Sequence, residues 1–141
     1  MPFVGEQAHL LVMDVLIGRD VVLTGLRHDI TAALRDLGED HCYDVLLVVT
    51  ELVSNVLDHT GGAGRLRLLR CRVPCLVMIE VDDHSRQQPV HGRSRLGEHR
   101  GKGMVMVGNT TSSWGTRPLA DGKTVFAVTS CAPPGECTAV A

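Results

Sequence analysis

The sequence predicts an α+β fold, a two-layer α/β sandwich with about three helices on one face of a mixed, mostly antiparallel sheet. Three observations carry this. Two long stretches of helical period stand back to back early in the chain. Two pairs of short alternating segments, 65–72 with 75–81 and 113–119 with 123–130, read as neighbouring antiparallel strands. Between the pairs, a polar run leads into a short helical signal.

The elements follow in order. Residues 9–17, HLLVMDVLI, read as a first strand. Asp20 is placed to cap a helix over 21–37, where Leu23, Leu26, Ile30, Ala33, Leu34 and Leu37 recur at helical spacing. Gly38 is placed to end it. A second helix spans Asp40 to His59 and stops at Gly61-Gly62. RLRLLRCR (65–72) and CLVMIEV (75–81) form strands joined in hairpin fashion at Pro74. Residues 82–100 are polar and irregular, and a short helix covers 103–111. SWGTRPL (113–119) and KTVFAVTS (123–130) close the fold, turning at Asp121-Gly122. The expectation is a single domain over 1–141, its core about 8–130, with 131–141 a frayed tail.

Composition narrows the function classes. A formal net charge of −2 gives no basic surface for nucleic acid, and 3% aromatic residues leave no stacking platform for single strands. The opening residues lack a basic start, Glu6, His9 and Asp14 interrupt their apolar run, and no stretch has the length of a membrane span. Cytoplasmic localisation is expected. The five cysteines (Cys42, Cys71, Cys75, Cys131, Cys137) are read as reduced thiols, and no second Cys/His pair at ligand spacing accompanies Cys71 and Cys75 to make a zinc site.

The second helix carries the first chemical signal. At 100° per residue, Val45, Val49, Leu52, Val53 and Val56 share an arc that must face the sheet, and Ser54 and Asp58 lie opposite. Glu51, Asn55 and His59 form a strip along the border of that arc. Amphipathic helices often carry polar residues at such borders, so the helix alone permits a structural or a functional reading. Chemically, an asparagine oxygen is a hard neutral ligand suited to Mg²⁺, and a carboxylate one turn earlier can orient or deprotonate an attacking hydroxyl.

Two downstream segments extend that signal. Alternation along 75–81 turns Val77, Ile79 and Val81 toward the helices, and the same parity brings Asp83 to the helix side where the strand ends. A carboxylate there can accept a hydrogen bond from an exocyclic amine such as adenine N6. In HRGKGMVMVGN (99–109), Gly101 and Gly103 precede a helix whose N-terminal N–H groups can meet an anion. A lone G-x-G also serves simply to turn a chain. Arg86, Arg93, Arg95, Arg100 and Lys102 gather in and around the preceding loop, which could close over phosphates or lie solvated on the surface.

The order E-x-x-x-N, D-x-S at a strand end, G-x-G opening a helix and GKT on the last strand resembles the GHKL superfamily of ATP-binding domains, which includes gyrase B, MutL and histidine kinase catalytic domains. Within it the chain is most similar to the short anti-sigma factor serine/threonine kinases of bacterial partner-switching systems. The resemblance spans about residues 8–130. It implies that ELVSNVLDH is the first box, with Asn55 binding Mg²⁺, Glu51 the general base or orienting carboxylate, and His59 structural or near the phosphates. It implies that VDDHS is the second box, Asp83 recognising adenine and Ser85 standing in the place of a glycine. It further implies that Arg100, Gly101, Lys102, Gly103 and Met104 of RGKGM lie at the phosphates, and that Thr124 of GKTVF sits near the adenine-binding aspartate. Parity with Phe126 and Val128 is consistent with an inward Thr124. The chain departs from the pattern at Ser85, at His99 and Lys102, and in a lid (84–100) shorter than that of histidine kinases.

The function this implies is binding of ATP with Mg²⁺ and transfer of its γ-phosphoryl group to a serine or threonine of a small STAS-type anti-sigma factor antagonist. The chain would also sequester a sigma factor, probably the commonest partner class of this branch, and form a homodimer; no nucleic acid or membrane partner is expected. The alternative is a catalytically weak nucleotide-sensing interaction module of the same fold, for which Glu51 is the discriminating residue. A histidine kinase fragment is a weaker reading, because no helix pair with a phospho-accepting histidine is evident, and cysteine redox or metal chemistry ranks last.

Overall fold

The computed structural model describes residues 9–60, 63–71, 75–84 and 105–130. Strand β1 (His9–Ile17) is followed by helices α1 (Leu23–Ala33) and α2 (Glu39–Thr60). Strands β2 (Gly64–Cys71) and β3 (Leu76–Asp83) come next, then a short helix α3 at 105–110, then β4 (Ser113–Leu119) and β5 (Gly122–Ser130). The five strands lie in the order β1-β2-β3-β5-β4. Every pairing is antiparallel, so the sheet is not mixed as expected. The α+β class and the helix-covered sheet hold.

Alternation builds the core. Leu66 pairs with Val81 and Leu68 with Ile79, and all four are at most 1% exposed on the face that meets the helices. Val45, Val49, Leu52, Val53 and Val56 of α2 are buried against them, together with Val48, and Leu26, Ile30 and Leu34 bring α1 into the same core. Removing this much apolar surface from water is the main favourable term holding the two layers together. One prediction about the solvent side is softened: Asp58 is exposed, whereas Ser54 is half-buried.

The ends of α1 differ from expectation. Its N-cap is Val22, with no side-chain cap bond, because Val21 N–H donates to Gly18 O and a turn occupies the residues around Asp20. The helix stops at Ala33. Leu34 N–H still closes onto Ile30 O, but a tighter turn from Leu37 N–H to Leu34 O folds Leu37 back on the core. Gly38 does not end α1. Its carbonyl accepts the first helical bond of α2, from Cys42 N–H, so it serves as the cap at the start of the second helix. Glu39 and Asp40 then supply negative charge in the first turn, where the helix dipole favours it.

The closing hairpin is one residue tighter than predicted. Leu119 pairs with Gly122, leaving Ala120 and Asp121, not Asp121 and Gly122, as the two turn residues. On the face away from the helices, ion pairs replace a second apolar layer. Arg65 bonds Asp14, Arg67 bonds Glu80 and Asp82, and Arg117 reaches Glu80 while lying over the Phe126 ring.

The reading of all five cysteines as reduced thiols is corrected. Cys42, within α2, and Cys71 are free, but Cys75 is disulfide-bonded. The physical reason lies in position: Cys75 immediately precedes a strand paired along its whole length to β5, a setting that the linear spacing of cysteines does not reveal.

Candidate functional site

The strip on α2 starts the site. Glu51 and Asn55 are both half-buried, flanked by Leu52, Val53 and Val56, which are at most 2% exposed. Packing of those neighbours fixes the helix rotation, and that rotation holds the two polar side chains at the margin of the core. His59 falls in the last turn of α2.

Asp83 enters from the sheet. It is the last residue of β3 and is 4% exposed, on the helix-facing parity with Val77, Ile79 and Val81. Its neighbour in the ladder is Gly64. A Cβ on Gly64 would overlap the Asp82 carbonyl and come within 2.9 Å of Val56 Cγ1. The missing side chain is therefore what lets α2 settle against this end of the sheet, one residue along from Asn55. His84 N–H donates to Ala63 O at 3.2 Å and extends the pairing just past Asp83.

A second glycine closes the other side. Gly122 begins β5, and a Cβ there would overlap the Asp83 carbonyl and lie 2.9 Å from His84 Cα. The glycine of GKT thus admits the β4–β5 turn to the Asp83 end of β3. Lys123, which sequence reasoning did not single out, is the residue directly opposite Asp83 in the ladder. Its place in GKT, next to the glycine, was the available signal.

Thr124 corrects the expectation. Its ladder partner is Asp82, and paired residues share a face, so Thr124 lies with Phe126 and Val128 on the side away from the helices. The parity argument grouped these three residues properly but assigned them the wrong face. Val125, Ala127 and Thr129 form the inward set, the last two at most 1% exposed. Thr124 Oγ1 donates to Asp82 Oδ1 at 2.7 Å. Arg67 donates to both oxygens of the same carboxylate at 2.9 Å, and to Glu80 at 3.0 Å. Hydrogen bonds from Arg67, then from Thr124, hold the Asp82 carboxyl below its ordinary value, and Asp82 in turn strengthens the charge on Arg67. Asp82 is thereby committed to the sheet.

The remaining predicted site residues, Ser85, Arg100, Gly101, Lys102, Gly103 and Met104, lie outside the described residues. What the described part brings together is Glu51 and Asn55 on the helix, Asp83 at the strand end, and Lys123 across from it. Among the described residues no group of three His, Cys, Asp or Glu side chains forms an all-protein metal cage. An amide oxygen beside a carboxylate suits a different arrangement, in which Mg²⁺ takes a few protein oxygens and draws its other ligands from phosphates and water. The donor chemistry of Asn55 fits that role.

In comparisons with known proteins, no family model matches the sequence and no curated protein matches it. No described helix is long and apolar enough to cross a membrane.

Proposed function

We propose that the chain is a cytoplasmic regulatory protein of the GHKL type that binds Mg-ATP and transfers the γ-phosphoryl group to a serine or threonine of a partner protein. One observation carries the reading: α2, bearing Glu51 and Asn55, and the end of β3, bearing Asp83, meet at a contact that Gly64 makes possible. In this reading Asp83 accepts a hydrogen bond from the adenine amine and thereby selects the base. Asn55 supplies an oxygen to the magnesium, whose charge offsets that of the phosphates. Glu51 orients the attacking hydroxyl and takes its proton. Phosphoryl transfer depends mainly on positioning and charge neutralisation, so this small set suffices.

The partners proposed are a STAS-type antagonist as phosphoryl acceptor and a sigma factor as the sequestered protein, with the chain acting as a homodimer. These rest on the resemblance of the boxes alone. Calorimetric titration with ATP, with and without Mg²⁺, tests the nucleotide reading: binding that strengthens with the metal is expected, and absence of binding in both titrations overturns it. The catalytically weak sensor remains the second reading, favoured by binding without transfer to the cognate acceptor.

A further inference from the structure

The disulfide at Cys75 is independent of the nucleotide reading and lies at the other end of β3 from Asp83. Cys42 and Cys71 are free thiols, so only Cys131 and Cys137 can supply the second sulfur within the chain. The ladder between β3 and β5 discriminates between them. Its last described pairs are Val77 with Thr129 and Leu76 with Ser130, and continuing the same count sets position 75 against position 131. Directly opposed residues of an antiparallel pair stand about 4.5–5.5 Å apart at Cα, within the range a disulfide spans. Cys71 is not a competitor by register. It pairs with Leu76 and so occupies the opposite face from the Val77 parity to which position 75 belongs.

We propose that Cys75 and Cys131 form a reversible cross-strand disulfide, a redox modification site that fastens the start of the C-terminal segment to β3. The oxidant is a small-molecule disulfide of the glutathione class. The Cys75 or Cys131 thiolate attacks one sulfur of glutathione disulfide, forming a mixed disulfide and releasing one glutathione thiolate. The second protein thiolate then attacks the mixed disulfide at the protein sulfur, and a second glutathione leaves. Two protein thiols are oxidised, one glutathione disulfide is reduced to two thiols, and the two protons pass to solvent or to the leaving thiolates. Closing a long loop restricts the unfolded chain, so the oxidised protein is the more stable form.

The test uses the full chain equilibrated across glutathione redox buffers, quenched with a maleimide and digested with trypsin and a glutamate-specific protease. Trypsin separates Cys71 from Cys75 at Arg72, and cleavage after Glu136 separates Cys131 from Cys137. The expected result is a linked pair of fragments containing Cys75 and Cys131 that disappears as the buffer becomes reducing. A link from Cys75 to Cys137 or Cys71 instead, or no link at any buffer ratio, overturns the proposal. Cys131→Ser should abolish the link while Cys137→Ser retains it; a link that survives Cys131→Ser also overturns it. Reduction should lower the thermal midpoint by roughly 5–10 °C in the natural chain. Cys131→Ser should show no such shift, and a shift of equal size in that variant counts against the assignment.

Discussion

Thr124 Oγ1 donates a 2.7 Å hydrogen bond to Asp82 Oδ1, on the face of the sheet opposite the helices, while Asp83, one residue on, is buried toward them. Two adjacent aspartates therefore have separate roles. Asp82 completes an ion-paired ladder with Arg67, and Asp83 closes the candidate site. Thr124→Val keeps the shape and removes one bond to a charged acceptor, which should cost about 1–3 kcal/mol of stability in denaturant unfolding. Nucleotide affinity should stay within about twofold, whereas Asp83→Asn should lower it by about tenfold or more. A Thr124→Val loss as large as that of Asp83→Asn would return Thr124 to the site.

Much of this was legible in the sequence because alternation and helical period are local. Val77, Ile79 and Val81 predicted their own face and that of Asp83, and the arc of α2 predicted its buried valines. The face of Thr124 was not legible, because it depends on register between strands distant in the chain. A shift of one residue exchanges the two faces, and only the pairing of Lys123 with Asp83 settles it. Gly38 was misassigned for a related reason: a glycine between two helices can end one or start the next, and the bond from Cys42 N–H decides. The disulfide of Cys75 depends on the same kind of long-range pairing.

Gly64 has no room for a side chain. Gly64→Ala would set a methyl group against the Asp82 carbonyl and Val56 Cγ1, and neither the strand nor the packed helix can yield freely. Overpacking of this kind should cost about 2–4 kcal/mol. Because the displaced groups support Asn55 and Asp83, nucleotide affinity should also fall at temperatures where the variant is still folded. A fully stable Gly64→Ala protein would show that the two layers are not in contact at this point.

His41 makes stability depend on pH near neutrality. It is 5% exposed, its Nε2 lies 2.7 Å from Thr129 Oγ1, and its Nδ1 is buried. Burial, aided by Arg70 and opposed by Asp44, lowers its pKa from the ordinary value of 6.5. The folded protein therefore prefers the neutral ring, and the unfolded chain takes up the proton first. This contribution to stability is complete above pH 6.5 and declines as pH falls from there toward the lowered value. Unfolding free energies measured from pH 8 to 5 should fall on acidification, and His41→Gln should flatten that decline. An unchanged slope in His41→Gln would assign the decline to other groups.

Arg67 holds two carboxylates at once, so its loss should exceed that of a single surface ion pair. Its side chain is 24% exposed, and those of Asp82 and Glu80 are 12% and 16% exposed. Arg67→Met leaves both carboxylates poorly solvated without their shared cation, and should cost about 2–4 kcal/mol at neutral pH. The cost should shrink in acid. The lowered pKa of Asp82 means its pairing contributes fully above its ordinary value of 3.8 and is lost as pH falls through the lowered one. Equal destabilisation at neutral pH and well below pH 3 would rule out the ion pair as its source.

Glu51 and Asn55 separate binding from chemistry because they stand one turn apart on the same half-buried strip of α2, with their helix anchored by Leu52, Val53 and Val56. Asn55→Ala removes the proposed magnesium oxygen, and it should abolish the metal-dependent part of ATP affinity while unfolding near the natural midpoint. Glu51→Ala leaves that oxygen in place, so ATP affinity should change by no more than about threefold. Transfer to the acceptor should fall by about a hundredfold or more, the scale expected for loss of a general base. Measured on one pair of variants, affinity and single-turnover transfer give a two-by-two outcome. If Glu51→Ala weakens binding and transfer equally, the carboxylate acts through nucleotide positioning, and its assignment as the base fails.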